Sequence, residues 1–241
     1  MNEPMNRSVG RALTILEVLA RTEEPIGLKR ISDVLEIPKS STLMLLRALK
    51  DHGFVEIDQQ GRYAVGLRAF EVGTSYIRGM TPTKAVEGQL RWLTATLGVT
   101  SHFAVLDGAD AVYLAKEEPQ DFGVRLASFV GARLPAAETA VGKAQLCQSS
   151  TELADDSDPD FLSELLLSKE RGYAVDDGAV LEGVRCVAAA VFDGERVCGA
   201  IGVSYVARAS LRTSEVARLV KSAAAAASAR LGPPSMNSGV A

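Results

Sequence analysis

Apolar residues recur at helical spacing through the first third of the chain. Val9, Ala12, Leu13, Leu16, Leu19 and Ala20 form one stripe of a first helix that Ser8 can cap. Ile31, Val34 and Leu35 then fall at i, i+3 and i+4, enough to bury one face of a short second helix. Pro38 disfavours helix at Ile37, so the chain must bend at residues 36–38. A third helix begins near Lys39 or Ser40. Its inner stripe is Thr42, Leu45, Leu46 and Leu49, and its outer stripe is Ser40, Ser41, Met44, Arg47 and Asp51. Gly53 can take the left-handed conformation that ends it. Residues 54–57 and 62–65 flank Gln59-Gln60-Gly61 as the arms of a hairpin. That order of elements is a winged helix-turn-helix. Leu67, Phe70, Glu71, Thr74, Ile77 and Arg78 continue as a linker helix, punctuated by Gly79-Met80-Thr81-Pro82.

The pattern changes after residue 82. An amphipathic helix over 82–97 carries Val86, Leu90, Leu93 and the lone Trp92. Strands at 100–106 and 111–116 turn on Asp107-Gly108-Ala109-Asp110, and a further strand is expected at 123–129. Residues 140–147 and 161–171 read as helices, with Asp155-Asp156-Ser157-Asp158-Pro159 as a solvated acidic loop before the second. Strands at 184–193 and 196–204 turn on Asp193-Gly194-Glu195, and residues 213–231 form an alanine-rich helix. Strands joined largely by hairpins, with helices between, imply an α+β fold with an antiparallel sheet. The expected organisation is a winged-helix domain at 1–65, a linker helix at 66–81, a second domain at 82–232 and a frayed tail at 233–241.

Composition narrows the classes. The 241 residues are 47% hydrophobic, enough to fill cores, but no apolar run could span a bilayer and the first ten residues lack a secretory hydrophobic region. A cytoplasmic protein with no membrane partner is expected. Cys147, Cys186 and Cys198 are odd in number and widely spaced, which suits reduced thiols rather than a disulfide framework or zinc ribbon. No metal or other cofactor is expected. The net charge of −4 divides unevenly: residues 1–80 hold 11 Lys and Arg against 10 Asp and Glu, net +1, and the remainder holds 15 against 20, net −5. Phosphate contact depends on the local patch rather than this balance. Such a weak positive charge on one copy calls for two or more wings acting together.

The third helix carries the candidate chemistry. Lys39, Arg47 and Lys50 are its charges between residues 39 and 50, with no acid among them. Ser40 and Ser41 can donate hydroxyls, and a helix N-terminus presents free N–H groups to phosphate. Double-stranded DNA is therefore the first partner to test, with Lys29, Lys39, Ser40, Ser41, Thr42, Met44, Arg47 and Arg62 as candidate contacts. Two bland readings stand beside this one. Helix pairs of this kind also dock proteins, and a serine-rich helix start is often only a cap.

Three further stretches act together with the helix-turn-helix. GARLPAAETAVGKA at 131–144, RGYAVDD at 171–177 and GVRCVAAAVFD at 183–193 stand in the order and spacing of one family. Over about residues 8–231 the chain resembles the IclR family of bacterial transcriptional regulators. The resemblance implies a second domain similar to the GAF fold, a homodimer or a pair of dimers on operator DNA, and a small organic acid that changes DNA occupancy by binding in that domain. It places the effector pocket at Leu134, Ala140, Val141, Asp176, Val184, Cys186, Gly202 and Ser204. Thr139 joins them because amides around 139–142 lie at an expected helix start and could hold a carboxylate. The chain departs from the family's usual pattern at Ala137, where histidine is common, at Gly202, where serine is, and at Ala190, where proline is. These departures predict a roomier or less polar pocket. At Met44 a base-reading arginine is absent, and Arg47 stands one turn on.

Each pocket residue also has a plainer reading. Cys186 also reads as an inert core thiol, Asp176 as the cap of a turn before Gly178, and His102 as a packed residue on an apolar strand. The rival class is a cysteine-dependent enzyme. With two histidines in the chain, Cys186 and His102 are the sole nucleophile and base worth pairing.

Overall fold

The computed structural model describes residues 7–79, 81–119, 129–148, 158–206 and 211–232, in two compact units divided between Gly79 and Met80. The strand expected at 123–129 and most of the acidic loop at 155–159 lie outside the described residues, as does the tail at 233–241.

The first unit holds α1 (Arg7–Ala20), β1 (Ile26–Gly27), α2 (Leu28–Leu35), α3 (Lys39–Asp51), β2 (Val55–Ile57), β3 (Arg62–Val65) and α4 (Leu67–Gly79). Ser8 lies in the first turn of α1 as described. The bend between α2 and α3 is sharper than a proline alone requires. Glu36 takes left-handed dihedrals, φ 53° and ψ 38°, and the buried Ser32 hydroxyl donates to Ile37 O at 2.6 Å. Ile15, Leu19, Ile31, Leu45, Leu46, Val55 and Tyr63 form the core beneath α1, α2 and α3. The wing is a three-stranded antiparallel sheet in the order β1-β3-β2, with Ile26 opposite Tyr63. Two residues are too few to alternate, so β1 left no periodic signal in the sequence. The Asp58 carboxylate closes the wing's turn, accepting from the amides of Gln60 and Arg62 at 2.9 and 2.8 Å.

The second unit is built on a six-stranded antiparallel sheet, order β6-β5-β4-β9-β8-β7. Its strands are β4 (Thr100–Asp107), β5 (Asp110–Glu117), β6 (Arg133–Pro135), β7 (Ala174–Asp177), β8 (Val184–Asp193) and β9 (Arg196–Val206). On one face lie α5 (Thr81–Leu97) and α8 (Thr213–Leu231), sealing a core of Val86, Leu90, Leu93, Phe103, Val187, Ile201, Val203 and Val220. The opposite face packs against α6 (Ala140–Leu146), with α7 (Pro159–Arg171) beside it. There the residues are small: Ala104, Ala174, Ala188 and Ala200 meet Ala140, Val141 and Ala144. Small side chains on both surfaces let a short helix lie close to the sheet. Gly142 makes the seat tightest, since a Cβ there would stand 2.1 Å from Ala136 O.

Candidate functional site

On α3 the inner stripe buries Thr42, Leu45 and Leu46, and the opposite stripe leaves Lys39, Ser40, Met44, Arg47 and Lys50 exposed. Ser41 is half-buried at the edge. Thr42 departs from its expected role as a DNA contact. It is wholly buried with Leu45 and Leu46 at i+3 and i+4, and its hydroxyl donates to Pro38 O at 3.2 Å. Neither serine caps the helix: Pro38 occupies the N-cap and no side-chain cap bond forms there. The plain capping reading of Ser40 and Ser41 therefore fails, and their hydroxyls are left for other partners. Lys29 is exposed on α2, and Arg62 is exposed on the wing with its Nε 2.7 Å from Asp58 Oδ2. Met44 is 63% exposed, apolar and at the middle of the outer face, where it is no core residue.

The second unit gathers most of its expected residues around one cavity. Leu134, Thr139, Ala140, Asp176, Val184, Cys186 and Ser204 line it, together with His102, Tyr113, Val180 and Leu181. Strand register explains the convergence. Asp176 faces Cys186, Cys186 faces Ser204, and Ser204 faces Thr100, so a polar row crosses β7, β8, β9 and β4 on the α6 side of the sheet. Two residues further along each strand, on the same face, Ala174, Ala188, Gly202 and His102 form a second row. Two expected residues do not line the cavity. Val141 and Gly202 lie beneath it, and a Cβ on Gly202 would meet His102 Nε2 at 2.7 Å and Val141 Cγ1 at 2.9 Å.

The space vacated at Gly202 is thus filled from the neighbouring strand, by the His102 ring. The cavity offers about 30 Å³ to the centres of water-sized molecules. The amide clamp expected at 139–142 is smaller than its span suggests. Thr139 N donates to Pro135 O at 3.3 Å, and Gly142 N donates to the Thr139 hydroxyl at 3.0 Å. Ala140 and Val141, as the first two residues of α6, have amides with no helical acceptor.

Burial governs the titration of this wall. The Asp176 carboxyl is held above its usual range by desolvation, against hydrogen bonds that include Ala179 N at 2.7 Å. It caps the turn, as the plainer reading had it, and lines the cavity as well. The Cys186 thiol sits 3.1 Å from the Ser204 hydroxyl, and burial pushes it up to about 12. Burial, with a smaller push from Lys116, drives the His102 imidazole down to about 3. Tyr113 is raised by burial and then by Cys186 and Asp176. A thiol raised to about 12 does not readily give its proton to an imidazole lowered to about 3, which weakens the pair a cysteine enzyme would need.

His102 and Tyr113 were missing from the expected site. Both sit on strands whose sequence reads as apolar core, and only the register across β4 and β5, with Ala104 opposite Tyr113, turns them to the α6 face. Val180 and Leu181 come from a connecting segment without periodicity.

A winged helix and a separate pocket-bearing domain in one chain define a ligand-responsive transcriptional regulator. The chain matches the family model of the IclR helix-turn-helix domain at residues 8–59, and that of the bacterial transcriptional regulator IclR C-terminal domain at 74–157 and 148–229. It is 31% identical over 208 residues to the transcriptional repressor IclR of Escherichia coli (strain K12), covering 79% of this chain and 76% of that protein. The crystal structure of an IclR regulator from Alicyclobacillus acidocaldarius superposes with a TM-score of 0.78 at 25% identity, covering 95% and 100% of the two chains. An IclR homologue from Microbacterium hydrocarbonoxydans, solved with 4-hydroxybenzoate, gives 0.79 at 15% identity over 93% and 98%. The protein belongs to the IclR family: it is a DNA-binding transcriptional regulator and not an enzyme.

Proposed function

We propose that a small organic acid, bound between α6 and the sheet of the second unit, controls how firmly α3 holds operator DNA. The observation that carries this reading is the convergence of seven expected residues, from Leu134 to Ser204, on one cavity. The amide of Ala140 is the backbone group available to a carboxylate, with Cys186 and Ser204 adding hydrogen bonds and Leu134 and Val184 an apolar wall. The 4-hydroxybenzoate held by the Microbacterium homologue supports an acid as the ligand class. Val180 and Leu181, on the segment between β7 and β8, close one side of the cavity. Gly178 and Gly183, both with positive φ, bracket that segment.

On DNA, Lys39, Ser40, Ser41, Met44 and Arg47 of α3 face the major groove, with Lys29 and Arg62 reaching the backbone. The protein acts in the cytoplasm as a homodimer or a pair of dimers. A net charge of +1 on residues 1–80 supports paired wings, as do the exposed Leu67, Phe70 and Tyr76 of α4. Ligand-driven rearrangement of the effector domains would then alter the separation of the wings, which requires unequal affinity of the acid for the free and DNA-bound forms.

The test is fluorescence anisotropy of the full chain on its own promoter fragment against scrambled competitor, across ionic strengths, with a panel of aliphatic and aromatic carboxylates. Preference for the promoter, changed several-fold by at least one acid, is expected. Equal binding to both duplexes in every condition ends the regulatory reading.

A further inference from the structure

We propose that His102 selects the effector, its imidazole pairing with a hydroxyl of the bound acid, so that the ligand class is hydroxy acids rather than plain carboxylic acids. The inference rests on the organic-acid reading above and adds a specificity residue to it.

His102 lines the cavity while only 1% exposed, and its Nδ1 has no partner among the described residues. Buried polar atoms are rarely left unpaired, and one on a ring that lines a cavity marks where a ligand atom or an ordered water can find a partner. The ring is fixed from two sides. Its Nε2 lies over Gly202, in the space a side chain there would take, and the Tyr113 ring stands at 5.1 Å between centroids, inclined by 60°. A ring so held cannot turn away to find another partner.

Chemistry then narrows the group it meets. Kept neutral by its surroundings, the imidazole has one donor and one acceptor nitrogen. A hydroxyl both donates and accepts, so it satisfies Nδ1 in either tautomer, whereas a carboxylate satisfies only the protonated one. A second carboxylate on the ligand is further disfavoured. The lining contains no lysine or arginine, its one formal charge is the carboxylate of Asp176, and Lys116, opposite His102, is spent on Glu118 at 2.8 Å. A site built to hydrogen-bond a hydroxyl rejects the analogue lacking it, because the protein group is then buried unpaired.

Isothermal titration of the full chain with matched pairs tests this: 4-hydroxybenzoate against benzoate, and 3-hydroxybutyrate against butyrate. For at least one pair the hydroxy acid should bind on the order of ten-fold tighter. In His102→Phe, which keeps a ring and removes both nitrogens, the preference should shrink to about two-fold or less. The wild-type protein supplies a second measurement should that variant fold poorly. It contains two histidines, and His52 is exposed in the other unit, so the imidazole ¹⁵N spectrum resolves to two rings. The hydroxy acid should move the His102 nitrogens and the plain acid should not. Binding of acids without hydroxyl preference, a preference that survives His102→Phe, or a hydroxy acid that leaves the His102 nitrogens unmoved would overturn the role of His102 alone. Binding of no acid in any pair would overturn the organic-acid reading and this one with it.

Discussion

The Cys186 thiol and the Ser204 hydroxyl meet at 3.1 Å across β8 and β9, in the polar row that begins at Asp176. One group donates to the other inside a wall that is largely shielded from solvent. With the Cys186 thiol pushed up to about 12, its thiolate at neutral pH is scarcer than that of a free cysteine by roughly a thousand-fold. Burial also raises Cys198, to about 11, and Cys147. Iodoacetamide should therefore label the native protein slowly at all three positions and quickly once urea unfolds it, as read by mass spectrometry. Rapid native labelling at Cys186 would mean a stabilised thiolate and would revive the nucleophile.

Gly202 and His102 face each other on β9 and β4, and the glycine makes room for the ring. A methyl at Gly202 would stand 2.7 Å from His102 Nε2, 2.9 Å from Val141 Cγ1 and 3.3 Å from Ala188 Cβ. The backbone there is not left-handed, so the cost is crowding rather than strain. Gly202→Ala should destabilise the protein by about 1–3 kcal/mol in urea unfolding. A variant of unchanged stability would show that the imidazole swings aside freely and that its seat is not fixed.

This coupling also explains what the sequence could and could not disclose. Helix spacing, the break at Pro38 and the Gly-centred turns made α1, α2, α3, β4, β5, β8, β9 and α8 legible, because local periodicity and turn chemistry decide those elements. The strands β1 and β6, of two and three residues, are pairing events with no periodic signature of their own. At the pocket, motif order located Asp176, Cys186 and Ser204. It could not show that Gly202 and His102 exchange space, since they are a hundred residues apart and meet only through the β4–β9 register. Thr42 was misjudged for the opposite reason: its stripe placed it inside, and its hydroxyl alone suggested DNA.

His102 makes folding sensitive to acid. Its imidazole is held down to about 3 in the folded protein, first by burial and then by Lys116, against an ordinary value of 6.5 in the unfolded chain. The stability it permits is complete above that ordinary value. As pH falls below it the unfolded chain takes up a proton that the folded chain refuses, and stability declines toward the folded value. The slope approaches about 1.4 kcal/mol per pH unit. Between neutral pH and about pH 5 the wild type should lose roughly 2 kcal/mol that His102→Phe does not, by urea unfolding at each pH. Parallel profiles for the two proteins would place the ring in contact with solvent.

Around α3, exposure and burial separate three substitutions. Lys39 is exposed at the first position of the helix, where a cation meets phosphate without reading a base. Lys39→Ala should weaken binding to every duplex alike and reduce the slope of log affinity against log salt by about 1. Arg47 is exposed two turns on, one turn beyond Met44, and can reach base edges. Arg47→Ala should cost about 1–3 kcal/mol on the promoter fragment and less on scrambled duplex, narrowing the discrimination between them. Thr42 is the internal control. Thr42→Val preserves its shape, removes the hydroxyl that donates to Pro38 O, and lies wholly inside the fold. It should lower stability modestly and leave DNA affinity unchanged at every salt concentration. Anisotropy titrations of the three variants check the set. If Lys39→Ala and Arg47→Ala both bind the promoter as wild type does at low salt, α3 is not the surface that meets DNA. If Thr42→Val alone weakens binding while the fold holds, the helix lies in the groove on its opposite face.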